Sequence, residues 1–345
     1  MDTQSEILSQ PAVWRDVLEG LAALDSDQYP HPGSYDQVLF VGCGSTYYLS
    51  TWAARQCEAG LGVVARAAPS SDVVYFPSSW ILPGRRTLLV AVSRSAETSE
   101  TVQAVRRFQE EGRGDVVCIT CNPDGTLAER CGSVVGVPAA QERSVVQTRS
   151  FTSMMLGALW LLNEGRVENS VSRLPGELDR VMATYASLAS ELGGDKGLDT
   201  LFFLGGGPLY GLACEAMLKM KETALTTSEA YHFLEIRHGP KSMVGEGSLV
   251  VGLISGQAEE QEGAVMREMQ ELGARTLAVG ELAGSSVAEG ADHTVSLESG
   301  LPLGWRSPLY LPVLQLMALK RSLAKGLDPD HPVNLDSVVV LDELD

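Results

Sequence analysis

The chain is written twice. "VLFVGCGSTY" at 38–47 returns as "LFFLGGGPLY" at 201–210, so that Gly42, Gly44 and Tyr47 recur as Gly205, Gly207 and Tyr210. Further on, "AVRRFQEEG" (104–112) matches "AVMREMQELG" (264–273), and "LAERCGSVVGVP" (127–138) matches "VAEGADHTVSLE" (287–298). The helical "FTSMMLGALWLL" (151–162) has its counterpart in "YLPVLQLMALKR" (310–321). A repeat this long requires two equivalent domains, joined near "EGRVENSVSRLPGEL". Within each copy, short continuous apolar runs such as "TLLVAVS", "VVCIT", "SLVVGLI" and "TLAVG" alternate with helical patterns of ten or more residues. Strands buried on both faces and separated by helices belong to a parallel sheet. The fold class is therefore α/β: two tandem three-layer αβα sandwiches, each around a mostly parallel sheet. The expected boundaries are a helical extension at 1–20, domains at 21–165 and 185–330, and a tail at 331–345 near the site.

Charge and hydropathy remove several function classes. A formal net charge of −18 argues against a phosphate-backbone partner, so no nucleic acid is expected. The longest apolar run, "SMMLGALWLL", is too short and too interrupted to span a bilayer, so no membrane is expected. The start, "MDTQSEILSQ", is polar and acidic, unlike a signal peptide, and a cytoplasmic protein is expected. Six cysteines are scattered through apolar contexts. Cys118 and Cys121 form a CxxC along a strand with no second pair and no histidine nearby, which reads as buried thiols rather than a metal or redox site.

Two glycine- and hydroxyl-rich loops stand where such sheets bind ligands, beyond the carboxyl ends of strands. "GCGSTY" delivers Ser45 and Thr46 to a helix start. A lone G-x-G without the third glycine excludes a nicotinamide fingerprint, and neither a cofactor nor a metal is expected. "VAVSRSAETSETV" (90–102) ends a strand with Ser93, Ser95, Thr98, Ser99 and Thr101. These hydroxyls make either a helix cap or, with free backbone N–H groups, a phosphate cradle. In the second copy the loop reads "ISGQAEEQEG", with three glutamates. A cap would be wanted in both copies and an anion site in only one, so the asymmetry favours phosphate.

The second copy carries "CEAMLKMKETALTTSEAYHFLEIRHGP" (214–240). On a helix, Glu215, Lys219 and Glu222 share one face, with Ala213, Ala216, Met217 and Met220 opposite. Taken alone, that face reads as a solvated stripe with an i,i+4 ion pair, although the helix follows the second glycine turn and its start should line the cleft. A lone His238 before a Gly-Pro turn is more often structural than catalytic.

Together, "GCGSTY", "SRSAETSET", the 214–240 segment and "DPDHPVNLDSVVV" resemble the sugar isomerase (SIS) family. Within it, the chain is similar to the isomerase half of glutamine–fructose-6-phosphate aminotransferase and to related aminosugar- and fructosamine-phosphate isomerases, deaminases and deglycases. The resemblance runs through nearly the whole chain. It implies a sugar-phosphate site made by Ser45, Thr46, Ser93, Arg94, Ser95 and Thr98, with Glu142, Val145 and Lys219 lining it. It implies Glu222 as the base that moves a proton between C1 and C2, and His238 as the ring-opening group. In the family that histidine comes from the neighbouring subunit, which implies a homodimer. Two departures stand out. The chain begins at the isomerase region, so no glutaminase is expected, and the lysine that follows "NL" in the aminotransferase is replaced by Asp336 and Ser337. Isomerisation coupled to deamination or amine release is the expected outcome. A plain aldose–ketose isomerase and a non-catalytic phosphosugar-binding regulator remain alternatives.

Overall fold

In a computed structural model, which describes residues 1–111 and 114–338, the chain separates into two compact units. One comprises residues 12–143, 149–172 and 336–338; the other comprises 1–11, 144–148 and 173–335. The last residues of the expected tail, 339–345, lie outside the described residues.

The first unit is built on β1 (Gln37–Gly42), β2 (Val64–Pro69), β3 (Thr87–Val92), β4 (Gly114–Thr120) and β5 (Ser133–Gly136), in the order β2-β1-β3-β4-β5. All pairings are parallel, with Val41 opposite both Ala68 and Ala91. β1 and β3 are buried at every position, as continuous apolar runs require when helices cover both faces. Leu39, Val41, Leu89, Ala91 and Cys118 pack with Ala104, Val105 and Phe108 of the Ser99–Glu110 helix. The Arg149–Leu162 helix lies close on the sheet at Gly157, where a β-carbon would come within 3.2 Å of Val135 and 3.4 Å of Ile119. Cys118 and Cys121 are buried free thiols.

The second unit repeats this plan with β6 (Thr200–Gly205), β7 (Thr227–His232), β8 (Ser248–Leu253), β9 (Arg275–Gly280) and β10 (His293–Ser296), in the parallel order β10-β9-β8-β6-β7. Phe202, Leu204, Val250 and Ala278 pack with Val265, Met266 and Met269 of the Glu259–Glu271 helix. The Leu209–Ala224, Leu174–Gly194 and Pro312–Ala324 helices pack together. The N-terminal residues are tied in by polar contacts: Thr3 donates from its N–H and Oγ1 to Asp330 Oδ1 (2.8 and 2.7 Å), and Gln10 Nε2 donates to Gln315 Oε1 (2.9 Å). In both sheets the strand order reverses beside the first strand of the copy, between β1 and β3 and between β6 and β8. Ligand crevices form at such switch points.

Candidate active site

In the first unit the two hydroxyl loops follow β1 and β3, the two strands that flank the switch point. β1 runs into a turn so tight that a β-carbon on Gly42 would lie 2.5 Å from the Thr46 backbone, and Gly44 takes φ +55°. Ser45 opens the Ser45–Leu61 helix. Thr46 Oγ1 accepts from Cys43 N–H and donates to Cys43 O, both at 2.9 Å, so this hydroxyl holds the turn itself.

After β3, Ala96 adopts φ +57°, an unfavourable conformation for a residue with a β-carbon. That bend lets Ala96 N–H donate to Ser93 Oγ (3.2 Å) and brings Ser93 Oγ within 3.3 Å of Thr98 Oγ1. Glu97 N–H donates to Ser95 Oγ (3.1 Å). Thr98 occupies the N-cap position of the Ser99–Glu110 helix, yet its side chain makes no capping bond. The cap alternative therefore lacks its defining contact at Thr98. Arg94 is 8% exposed; Nη2 donates to Ser337 O (2.9 Å) and Nη1 lies 3.7 Å from Glu142. Glu142 also accepts from Ser150 Oγ, so its carboxylate faces Arg94 and Ser150 inside the unit. Val145, three residues on, belongs to the other unit.

Comparison of the tandem loops corrects one sequence inference. Aligned on Ser93 and Ser255, Glu97 stands where Glu259 stands. Both have the same structural task. Glu97 accepts from Thr126 N–H (2.8 Å) and Oγ1 (2.7 Å), and Glu259 accepts from Ser285 Oγ (2.5 Å) at the starts of equivalent short helices. Arg94→Gly256, Ser95→Gln257, Thr98→Glu260, Ser99→Gln261 and Thr101→Gly263 change the chemistry of the loop, whereas Glu100 is retained as Glu262. Ala258, the counterpart of Ala96, has φ −126°, so the second loop does not make the bend.

In the second unit the Leu209–Ala224 helix carries the charged face, and this face is not a solvated stripe. Glu215 is 0% exposed and Lys219 2%; Lys219 Nζ lies 3.1 Å from Glu215 and 2.8 Å from Glu222. The opposite face, with Ala213, Ala216, Met217 and Met220, is buried as well. A helix buried all round forces its ions to pair with one another. Burial pulls the Lys219 ammonium down, but the two carboxylates more than offset it, and its pKa stands above the ordinary lysine value. Glu222 remains partly accessible at 22%. His238 is exposed on the following loop, with its N–H on Glu235 O (3.0 Å) ahead of Gly239 and Pro240. Lys241 is paired with Glu268 at 2.8 Å.

Residues 34–163 and 198–320 each match the model of the SIS domain. The chain belongs to the SIS family. The glutamine–fructose-6-phosphate aminotransferase of Sulfolobus acidocaldarius is 28% identical over 348 residues, covering 98% of this chain and 56% of that protein. The chain thus spans about half the length of the aminotransferases it matches. AgaS of Streptomyces coelicolor, provisionally named a D-galactosamine-6-phosphate deaminase, is 31% identical over 96% of this chain and 91% of its own length. Among solved structures, a glucosamine-6-phosphate deaminase from Thermotoga maritima superposes with a TM-score of 0.81 at 28% identity, over 99% of this chain and 100% of that one.

Two features of this SIS chain were hidden in the sequence. The left-handed Ala96 leaves no compositional trace, since alanine is the least marked residue for such a position. Asn122, whose Nδ2 donates to Ser95 O (2.9 Å), steadies the hydroxyl loop from the end of β4. Among the described residues no three His, Cys, Asp or Glu side chains gather as a metal site, and no helix is long and apolar enough to cross a membrane.

Proposed function

We propose that the chain is an SIS phosphosugar isomerase acting on an amino- or amine-substituted hexose 6-phosphate, with C1/C2 proton transfer coupled to release of the amine. The phosphate is assigned to Ser45, Ser93, Ser95 and Thr98, with Thr46 and Arg94 shaping their loops. Glu222 is the general base, positioned by Lys219. His238 opens the sugar ring, supplied by the second subunit of a homodimer. Its exposure on a loop is consistent with service outside its own unit.

For a 2-amino aldose the steps balance without a cofactor. Glu222 takes the C2 proton of the open chain as the electrons move toward the C1 carbonyl oxygen, which is protonated to give an enolamine. Return of a proton to C1 gives the imine at C2. Water adds there, ammonia leaves, and a ketose phosphate remains.

The state of the lysines favours amine release by a route that forms no lysine imine. An imine-forming lysine must be a neutral amine. Lys219 is locked as a cation between two carboxylates, Lys241 is paired with Glu268, and the position after Asn334-Leu335 is Asp336. None of the three is the nucleophile that an aminotransferase route would use. The name of the Thermotoga relative agrees with this direction.

The test is product analysis after incubation with glucosamine, galactosamine and fructosamine 6-phosphates. Stoichiometric amine and ketose phosphate are expected from one of them. Interconversion of aldose and ketose phosphates with no amine released would leave a plain isomerase. Tight binding with no turnover of any of them would leave a regulator.

A further inference from the structure

The second unit keeps a crevice at its own switch point, and the function proposed above does not use it. Its cavity of about 380 Å³ lies beyond the carboxyl ends of β6, β7 and β8. Gly207, Phe233, Leu234, Ser255, Glu262 and Leu303 are among its walls. The glycine turn is built as in the first copy: a β-carbon on Gly205 would lie 2.4 Å from Leu209 O, and Gly207 takes φ +53°. The glycine turn has been retained, whereas the loop after β8 differs from its first-copy counterpart in both backbone and side chains.

Three observations define the chemistry of this crevice. First, the groups suited to phosphate are gone. Gly256, Gln257 and Glu260 stand at the places of Arg94, Ser95 and Thr98, and the retained Ser255 hydroxyl already accepts from Gln257 N–H (3.0 Å). Second, Glu259 and Glu262 stand where Glu97 and Glu100 stand in the first copy, and Glu260 adds a further negative charge at the start of the Glu259–Glu271 helix, which weakens the attraction a helix start has for anions. Third, Glu262 lines the cavity although it is 1% exposed. Its Oε2 accepts from Ser255 N–H (3.0 Å), and among the described residues no cation pairs with it. The guanidinium of Arg306 lies against the same loop, but it is committed to the carbonyl oxygens of Ser255 (2.7 Å) and Leu301 (3.2 Å). A buried carboxylate without a counter-ion is costly, and a cavity at its side offers room for one.

The geometry points to a second ligand site, distinct from the hydroxyl cradle, that takes a small organic cation. A primary ammonium group sits against Glu262, and the apolar body lies along Phe233, Leu234 and Leu303. The volume falls at the small end of ligand pockets, which limits the occupant to a compact molecule. Inorganic phosphate and sugar phosphates are repelled.

Titration calorimetry on the full chain tests this with three probes: cyclohexylmethylamine, the isosteric cyclohexylmethanol, and inorganic phosphate. The amine is expected to bind at one site per chain at least tenfold more tightly than the alcohol, and phosphate is expected not to displace it. Glu262→Gln keeps an acceptor for Ser255 N–H while removing the charge, and should erase the preference for amine over alcohol. Leu234→Trp, at a rim residue that is 42% exposed, should weaken both probes by obstructing the cavity. Thr98→Val should leave amine binding unchanged. The proposal is overturned by an amine that binds no better than the alcohol, by a preference that survives in Glu262→Gln, or by phosphate displacing the amine. Should Glu262→Gln not fold, unchanged amine affinity in Leu234→Trp overturns it as well.

Discussion

Replacing Thr98 with valine separates ligand binding from helix capping. The substitution conserves shape and deletes one hydroxyl. In the free protein that hydroxyl makes no capping bond and lies 3.3 Å from Ser93 Oγ. The folded state therefore loses little, whereas loss of a working cap costs about 1 kcal/mol. In the complex the same hydroxyl is assigned to the phosphate, and a hydrogen bond to a charged group contributes about 1.5–3 kcal/mol. Affinity for the sugar phosphate should fall roughly ten- to a hundredfold. The unphosphorylated sugar should bind as before, and the urea midpoint should move by less than the loss of a cap would require. Calorimetry with both ligands, alongside urea denaturation, reads all three quantities. Equal weakening of both ligands, or a clear loss of stability with phosphate affinity intact, refutes the assignment and restores the cap.

Three further outcomes are expected. Lys219→Met removes the cation shared by Glu215 and Glu222 and should cost about 3–5 kcal/mol in urea unfolding, the penalty for stranding a buried charge; a loss under about 1 kcal/mol would show the triad to be well solvated. Burial raises the Glu262 carboxyl above its ordinary value, so above the unfolded pKa the folded chain holds the extra proton and stability falls as pH rises toward the folded pKa. Glu262→Gln should flatten that decline in unfolding curves measured from pH 4 upward, and an unchanged slope would place its cause elsewhere. Finally, mixing Glu222→Gln and His238→Ala proteins under subunit exchange should restore one intact site per hybrid dimer, and demonstrated heterodimers that stay inactive would contradict a histidine supplied across subunits.

The parallel sheets were legible because their strands are buried on both faces and so leave uninterrupted apolar runs, as in β3 and β8. Their common strand order follows from the repeat. The charged helix misled because periodicity shows which residues share a face, and not what that face meets: Glu215, Lys219 and Glu222 satisfy an amphipathic pattern and yet lie largely inside. The acidic second loop misled in another way. Its glutamates looked alike, but Glu259 accepts from the capping Ser285 hydroxyl of a neighbouring helix, and Glu262 is buried beside a cavity. The partners of Glu142, Arg94 and Ser150, could not be read from the sequence either. Such partners come from elements brought together by folding, which spacing along the chain does not encode.

The central claim is that Glu222 moves a proton between C1 and C2 of a sugar phosphate. The most direct measurement incubates wild-type and Glu222→Gln protein with the amino sugar phosphate in deuterated water and follows deuterium at carbon by NMR. Wild type should incorporate deuterium at the former C1 of the ketose product. The variant should do so at least about a hundredfold more slowly, in line with loss of a general base, while its affinity for the sugar phosphate stays nearly unchanged. Exchange at an undiminished rate in Glu222→Gln would contradict the account.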